Sequence, residues 1–170
     1  TENGGVTVAE GMFHLQVKRT LQSQLADIDL TPSDIDYVAL SHFHFDHTGN
    51  MNLFSKAKFL VQQHELDVAF SDKAREMFFE PNSYNLITKD QFIGLSGDMD
   101  VFEDGKLVLL DSPGHTPGHQ SLLINLTESG PIILSGDLFH FEKNRTNKRV
   151  PALNFDKAMT LKSMVNIEKI

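Results

Sequence analysis

The chain contains no cysteine. That excludes a disulfide framework, a thiolate metal site and a thiol nucleophile, and it leaves the cellular compartment open. Positive charge is scarce as well. Fifteen Lys and Arg stand against 23 Asp and Glu, a formal net charge of −8, the wrong sign for a surface built to hold a nucleic-acid phosphate backbone. The densest basic stretch, EKNRTNKR at 142–149, is short and reads as a solvated loop. No apolar run approaches the roughly 20 residues that a membrane span requires. The first residues, TENGGVTVAEG, lack the charged-then-apolar order of a secretory leader. Repeats, low-complexity tracts and linkers are missing too, so residues 1–170 read as one domain.

What is present is a globular balance, 40% hydrophobic and 22% charged over 170 residues, enough chain to bury a core without staples. Val17, Leu21, Leu25 and Ile28 recur at three- and four-residue spacing and predict an amphipathic helix over 14–27. Thr31, Pro32 and Asp34 fit the cap, first position and first turn of a short helix leading into a buried strand, YVALS at 37–41. KFLVQ at 58–62 predicts another strand, and QHELDVAF a helix after it. A hairpin turning at Asp104-Gly105 ends at Pro113-Gly114-His115; a second joins QSLLINL to PIILSGD through TESG. Ala158, Leu161, Met164, Val165 and Ile167 predict the apolar face of a last helix. The mixture predicts an α/β fold with helices packed on sheet faces.

The chemistry concentrates in SHFHFDHTGN, residues 41–50, where three histidines and an aspartate occupy six positions. Neutral imidazole and carboxylate are ligands for zinc and its first-row neighbours. At the chain's own residue frequencies, H-x-H-x-D-H is expected by chance in roughly one such chain in a thousand. In extended backbone His42, His44 and Asp46 share a face, and a turn at Gly49 brings His47 round to it. Four donors from so short a segment are better divided between two ions about 3.5–4 Å apart than crowded on one. His115 and Asp137 also follow directly on predicted strand ends, where residues distant in sequence converge; Asp137 suits a bridging role. Phe43 and Phe45 are expected to pack beneath the site.

With these motifs in view, HFHFDH, PGHTPGH and SGD resemble the metallo-β-lactamase superfamily of metal-dependent hydrolases, over nearly the whole chain. The resemblance implies an αββα sandwich with a dinuclear site at one sheet edge. It assigns His42, His44 and His115 to a first ion, Asp46 and His47 to a second, and Asp137 to the bridge between them. Within the superfamily, SGDMDVFEDGKLVLLDSPGHTPGHQSLLI and RVPALNFDKAMTLKSM resemble the N-acyl homoserine lactonases. That branch implies two divalent metal ions, zinc first and iron, cobalt or manganese as alternatives, and a small-molecule lactone or ester as substrate. A metal-bridging hydroxide would open the ring, with Asp46 or Asp137 carrying the proton. A lactonase also needs an apolar trough for the acyl chain; Phe43, Met51, Phe54, Phe78, Phe79, Phe139 and Phe141 are candidate walls, with ordinary core the equal alternative for most of them.

The chain also departs from the family pattern. No histidine follows His140, and no D-x-G motif precedes TLQSQL, so both ends of the domain are expected to be missing. Some lactonases carry a tyrosine three residues after the bridging aspartate; here that position is His140, either a hydrogen-bond donor to the substrate carbonyl in the same way or a surface residue. His119 is expected to support the site rather than ligate, and His14 and His64 to lie on solvent-facing helical surface. The alternatives are the same metal chemistry on another ester, thioester or phosphodiester, and a metal-binding domain without activity.

Overall fold

The computed structural model describes residues 6–8 and 13–170; residues 1–5 and 9–12, which include most of the stretch TENGGVTVAEG read for a leader, lie outside them. An antiparallel pair, β1 (Val6–Val8) and β2 (Phe13–Leu15), comes first. The helix expected over 14–27 is therefore shorter. His14 lies on β2, and α1 runs only from Leu21 to Ala26. The Thr20 hydroxyl accepts the Ser23 backbone N–H at 3.1 Å and starts the helix there. Val17 and Ile28 are exposed, so the apolar spacing over 17–28 marks no continuous buried face.

Two sheets follow. The first holds β3 (Tyr37–Ala39), β4 (Lys58–Gln62) and β5 (Phe92–Leu95), all parallel, with β4 central. The second is antiparallel in the order β6 (Met99–Asp100), β7 (Leu107–Asp111), β8 (Gln120–Leu126), β9 (Gly130–Leu134). Both predicted hairpins are present. The strand at 37–41 is less buried than expected, since Tyr37 is exposed.

Alternation along the strands sorts the core into three layers. From β4, Phe59 and Val61 join Phe43, Leu66, Ala69, Phe79 and Tyr84 under helix α3 (Gln63–Ala69). Leu60, between them, points the other way and meets Leu95, Leu109 and Leu122 between the sheets. On the far side, Leu110 and Leu123 pack with Leu138, Met164 and Ile167 beneath helix α5 (Lys157–Ile167). Helix, sheet, sheet, helix is the expected αββα sandwich. With both its faces covered, β4 reads as a continuous apolar run.

Three details depart from the sequence reading. The basic stretch 142–149 contains a short helix, α4 (Glu142–Thr146), rather than a loop throughout. HFDHT does not stay extended: Phe45–Thr48 forms one helical turn, α2. The buried side of α5 is Thr160, Ser163, Met164 and Ile167, while Ala158 and Leu161 face solvent. The Thr160 hydroxyl donates to Asn154 Oδ1 at 2.7 Å and the Ser163 hydroxyl to the Pro113 carbonyl at 2.7 Å, so α5 docks partly through polar contacts.

Between the sheets lies a buried amide network. Gln120 Nε2 donates to the carbonyls of Leu40 and Leu60 at 2.8 and 2.9 Å. Gln120 Oε1 accepts from Gln62 Nε2 at 3.1 Å, and the Gln120 backbone N–H reaches the Ser41 carbonyl at 2.9 Å. These bonds align the end of β3 with the start of β8.

Candidate metal centre

Three strands of the two sheets end at one edge, and each hands on a polar residue there. His42 follows β3, His115 follows β7, and Asp137 follows β9. One donor atom from each of His42, His44, His115 and Asp137 lies within 4.8 Å of all the others. His44 Nδ1 stands 3.0 Å from His42 Nε2 and 3.0 Å from His115 Nε2. Asp137 Oδ2 is 3.4 Å from His115 Nε2 and 3.9 Å from His42 Nε2. The other Asp137 oxygen, Oδ1, is 3.4 Å from His47 Nε2, and Asp46 Oδ2 lies 3.7 Å from that same nitrogen. His140 Nε2, at the rim, is 3.4 Å from Asp137 Oδ2.

All seven residues singled out by the sequence thus meet at one place, in two groups. His42, His44, His115 and His140 face Oδ2 of Asp137 or its neighbours; His47 and Asp46 lie on the Oδ1 side. The turn of α2 separates Asp46 from His42 and His44, so these three do not share one extended face.

The donor set fits a cation. His115 Nδ1–H donates to the Leu153 carbonyl at 3.1 Å, which leaves its Nε2 with a lone pair turned inward. His44 turns its Nδ1 inward, toward both His42 Nε2 and His115 Nε2, and as a neutral acceptor it presents a lone pair there. Two lone pairs 3.0 Å apart repel unless a positive centre lies between them. A proton is a poor candidate, because burial foremost, then the His115 charge, holds His44 down to about 4. Burial likewise lowers His115 and, most strongly, His42. Neutral inward-facing imidazoles are the state in which histidine binds metal. Nitrogens around a tetrahedral zinc at 2.0–2.1 Å stand roughly 3.3–3.4 Å apart, close to the spacing here. Burial opposes charge on Asp137, but the hydrogen bond and charge of His47, then His115 and His140, outweigh it and set the carboxyl at about 2. Burial also opposes a charged His47; Asp137 and then Asp46 prevail and raise it.

The supporting residues explain why the ligands sit where they do. His119, fully buried, accepts the Asp137 backbone N–H on Nε2 at 3.1 Å and uses Nδ1 on Ser112. It supports the site, as expected, and its burial pushes it down to about 3. The loop 112–119 closes on itself through Ser112 N–H to the His119 carbonyl, and it is held from outside by Phe155 and Asp156 N–H to the carbonyls of His115 and Gly114. Gly114 has φ +132°, and a Cβ there would lie 2.2 Å from the Thr160 backbone nitrogen. Only glycine brings the loop this close to α5.

Glu65, Gln62 and Gln120 were missed by sequence reasoning. Glu65 is fully buried on α3, and its oxygens accept the backbone N–H of Phe43 at 2.9 Å and of Gly118 at 2.8 Å. The available signal was its phase: Glu65 stands one turn before Ala69 and beside Leu66, on the apolar side of its helix. Of the proposed acyl-chain walls, Phe43, Met51, Phe54 and Phe79 are buried core. Phe78 and Phe141 are exposed, and Phe78 stands edge-on to His44 with ring centres 6.4 Å apart. Phe45 is half-buried, and His64 faces solvent as expected.

An αββα sandwich that gathers histidines and an aspartate at one sheet edge defines a class of metal-binding proteins. The model of the Metallo-beta-lactamase superfamily matches residues 6–169, and the chain belongs to that superfamily. It is 32% identical over 158 residues to the N-acyl homoserine lactonase AttM of Azorhizobium caulinodans, covering 87% of this chain and 58% of that protein. It is 34% identical over 148 residues to an N-acyl homoserine lactonase of a Bacillus species, covering 86% and 55%. Among solved structures it resembles an N-acyl homoserine lactone hydrolase with N-hexanoyl-L-homoserine bound at its catalytic metal centre. That match has a TM-score of 0.78 and 27% identity, over 92% of this chain and 59% of that one. The chain therefore spans less than two thirds of the length of these relatives. Among the described residues, no helix is long and apolar enough to cross a membrane.

Proposed function

We propose that this chain acts as a hydrolase that opens the ring of N-acyl homoserine lactones at a centre of two divalent metal ions, zinc being the cation its nitrogen and oxygen donors suit best. The observation that carries the reading is the His42–His44–His115–Asp137 cluster, with His47 and Asp46 on the far side of the same carboxylate. His42, His44 and His115 would hold the first ion, Asp46 and His47 the second, and Asp137 both. Bound cations of this kind polarise a carbonyl and bring the pKa of a coordinated water from 15.7 to about 7.

The chain's own groups do the rest. Asp137, kept ionised by the histidines around it, holds its two oxygens toward the two halves of the site. The Asp46 carboxylate, about half exposed, takes up the proton of the attacking water and returns it to the ring oxygen as the ester bond breaks. His140 directs a ring nitrogen at the rim, where it hydrogen-bonds the substrate carbonyl. Phe78 and Phe141 offer exposed apolar surface beside His44 and His140 for the acyl chain.

The test is metal content together with hydrolysis. About two divalent ions per chain and turnover of an acyl homoserine lactone well above that of S-lactoylglutathione are expected. A chelator should abolish turnover, and His115→Ala should lower it at least a hundredfold. A chain that binds no metal, or that prefers the thioester, overturns the proposal.

A further inference from the structure

The two loops that carry the histidines meet at a side chain that is not a metal ligand. Glu65 is 0% exposed, and among the described residues no lysine, arginine or histidine forms an ion pair with it. Its Oε1 takes the N–H of Phe43, the residue between His42 and His44. Its Oε2 takes the N–H of Gly118, three residues after His115 and next to His119. The two amides come from opposite sheets of the sandwich, and each oxygen faces a donor. Burial pushes the Glu65 carboxyl up, and the two N–H bonds work against that shift; each oxygen serves as an acceptor, which a carboxyl group of this length supplies and an amide cannot. The contact is tight on both sides: a Cβ at Gly118 would stand 2.5 Å from the Glu65 backbone nitrogen.

A buried carboxyl group without a basic partner is costly unless hydrogen bonds compensate it. Packing alone would be served as well by an apolar residue on this face of α3. What the carboxylate adds is a fixed separation between two backbones, and those backbones set how far His42 and His44 stand from His115. We infer that Glu65 is a positioning residue for the metal centre, bridging the His42–His44 loop and the His115 loop so that their donor atoms are held at cation-binding distance before any cation arrives. The inference rests on the metal-centre reading given above.

Cobalt binding to this chain separates the alternatives, because Co²⁺ reports its ligand geometry in the visible spectrum. Glu65→Gln keeps the length but sets an NH₂ against one of the two amides. Glu65→Asp keeps the charge but is too short to reach both. Both variants are expected to bind Co²⁺ ten- to a hundredfold more weakly than the parent, with an altered absorption band, the range seen when groups that orient metal ligands are removed. Unchanged affinity and band in Glu65→Gln overturn the inference and leave Glu65 a packing residue. Full recovery in Glu65→Asp also overturns it, since charge alone would then suffice. If Glu65→Gln is recovered unfolded, Gly118→Ala keeps the carboxylate and forces the loop away from α3; there too, parent-like cobalt binding refutes the role. Failure of the parent chain to bind cobalt would instead refute the metal-centre reading.

Discussion

His119 illustrates how a residue without a ligand's position can govern one. Its buried ring joins the Ser112 backbone to the backbone N–H of Asp137, so the carboxylate that faces both halves of the site is aimed by a histidine from the neighbouring strand end. Replacing it with alanine leaves that N–H without its acceptor. An unsatisfied buried donor costs about 1–3 kcal/mol. His119→Ala is therefore expected to lower the unfolding free energy, measured by urea denaturation, by that much and to weaken metal binding ten- to a hundredfold, measured by chelator competition. A variant that loses stability but binds metal as before would show the ring to be packing only. The sequence carried the ligands clearly at this scale, because four donors in six residues stand out against chance. It carried Glu65 poorly, since one acid in a helix of mixed polarity looks like surface until the partner loops are seen.

Among the elements, legibility followed burial. KFLVQ was recognisable as β4 over its full length because both of its faces are covered, which leaves an apolar run with few other readings. The segment 14–28 misled because apolar spacing alone does not reveal that Thr20 caps a new helix and that Val17 and Ile28 stay in solvent. Helix α5 misled differently. Its buried side carries Thr160 and Ser163, polar residues satisfied by Asn154 and by the Pro113 carbonyl, and a hydrophobicity pattern assigns such residues to the outside. These contacts make α5 the backing of the His115 loop. Gly114→Ala, with a side chain forced against the Thr160 backbone and a φ that L-residues rarely adopt, should part the two. Expected are a drop in melting temperature and a loss of metal affinity together, followed by thermal unfolding with and without added zinc. Stability lost without loss of affinity would show that the loop keeps its shape without the helix.

For the molecule as a whole, the burial of so many imidazoles couples folding to acidity. His44 and His119 are lowered from 6.5 to about 4 and about 3 chiefly by burial, and His42 and His115 are lowered in the same way. Below 6.5 an unfolded chain takes up protons that the folded chain refuses, so stability falls as pH falls. Asp137, lowered from 3.8 to about 2, adds a loss in the same direction between those values. His47, raised, works the other way and offsets part of the trend near neutrality. The urea midpoint of chelator-treated protein should decline continuously from pH 6.5 to pH 4. A flat profile would mean that these rings are hydrated in solution.

The amide network between the sheets has a mechanical meaning. His42 and His44 ride on one layer and His115 and Asp137 on the other, so a slide of one layer over its neighbour would pull the pairs apart. Gln120, with its grip on Leu40 and Leu60, is the pin against that shear. A cation held by His42, His44, His115 and Asp137 would be a second pin through the same joint. Cutting Gln120 to alanine and stripping the metal should together cost more than the two losses added, by the 0.5–3 kcal/mol typical of partners in one network.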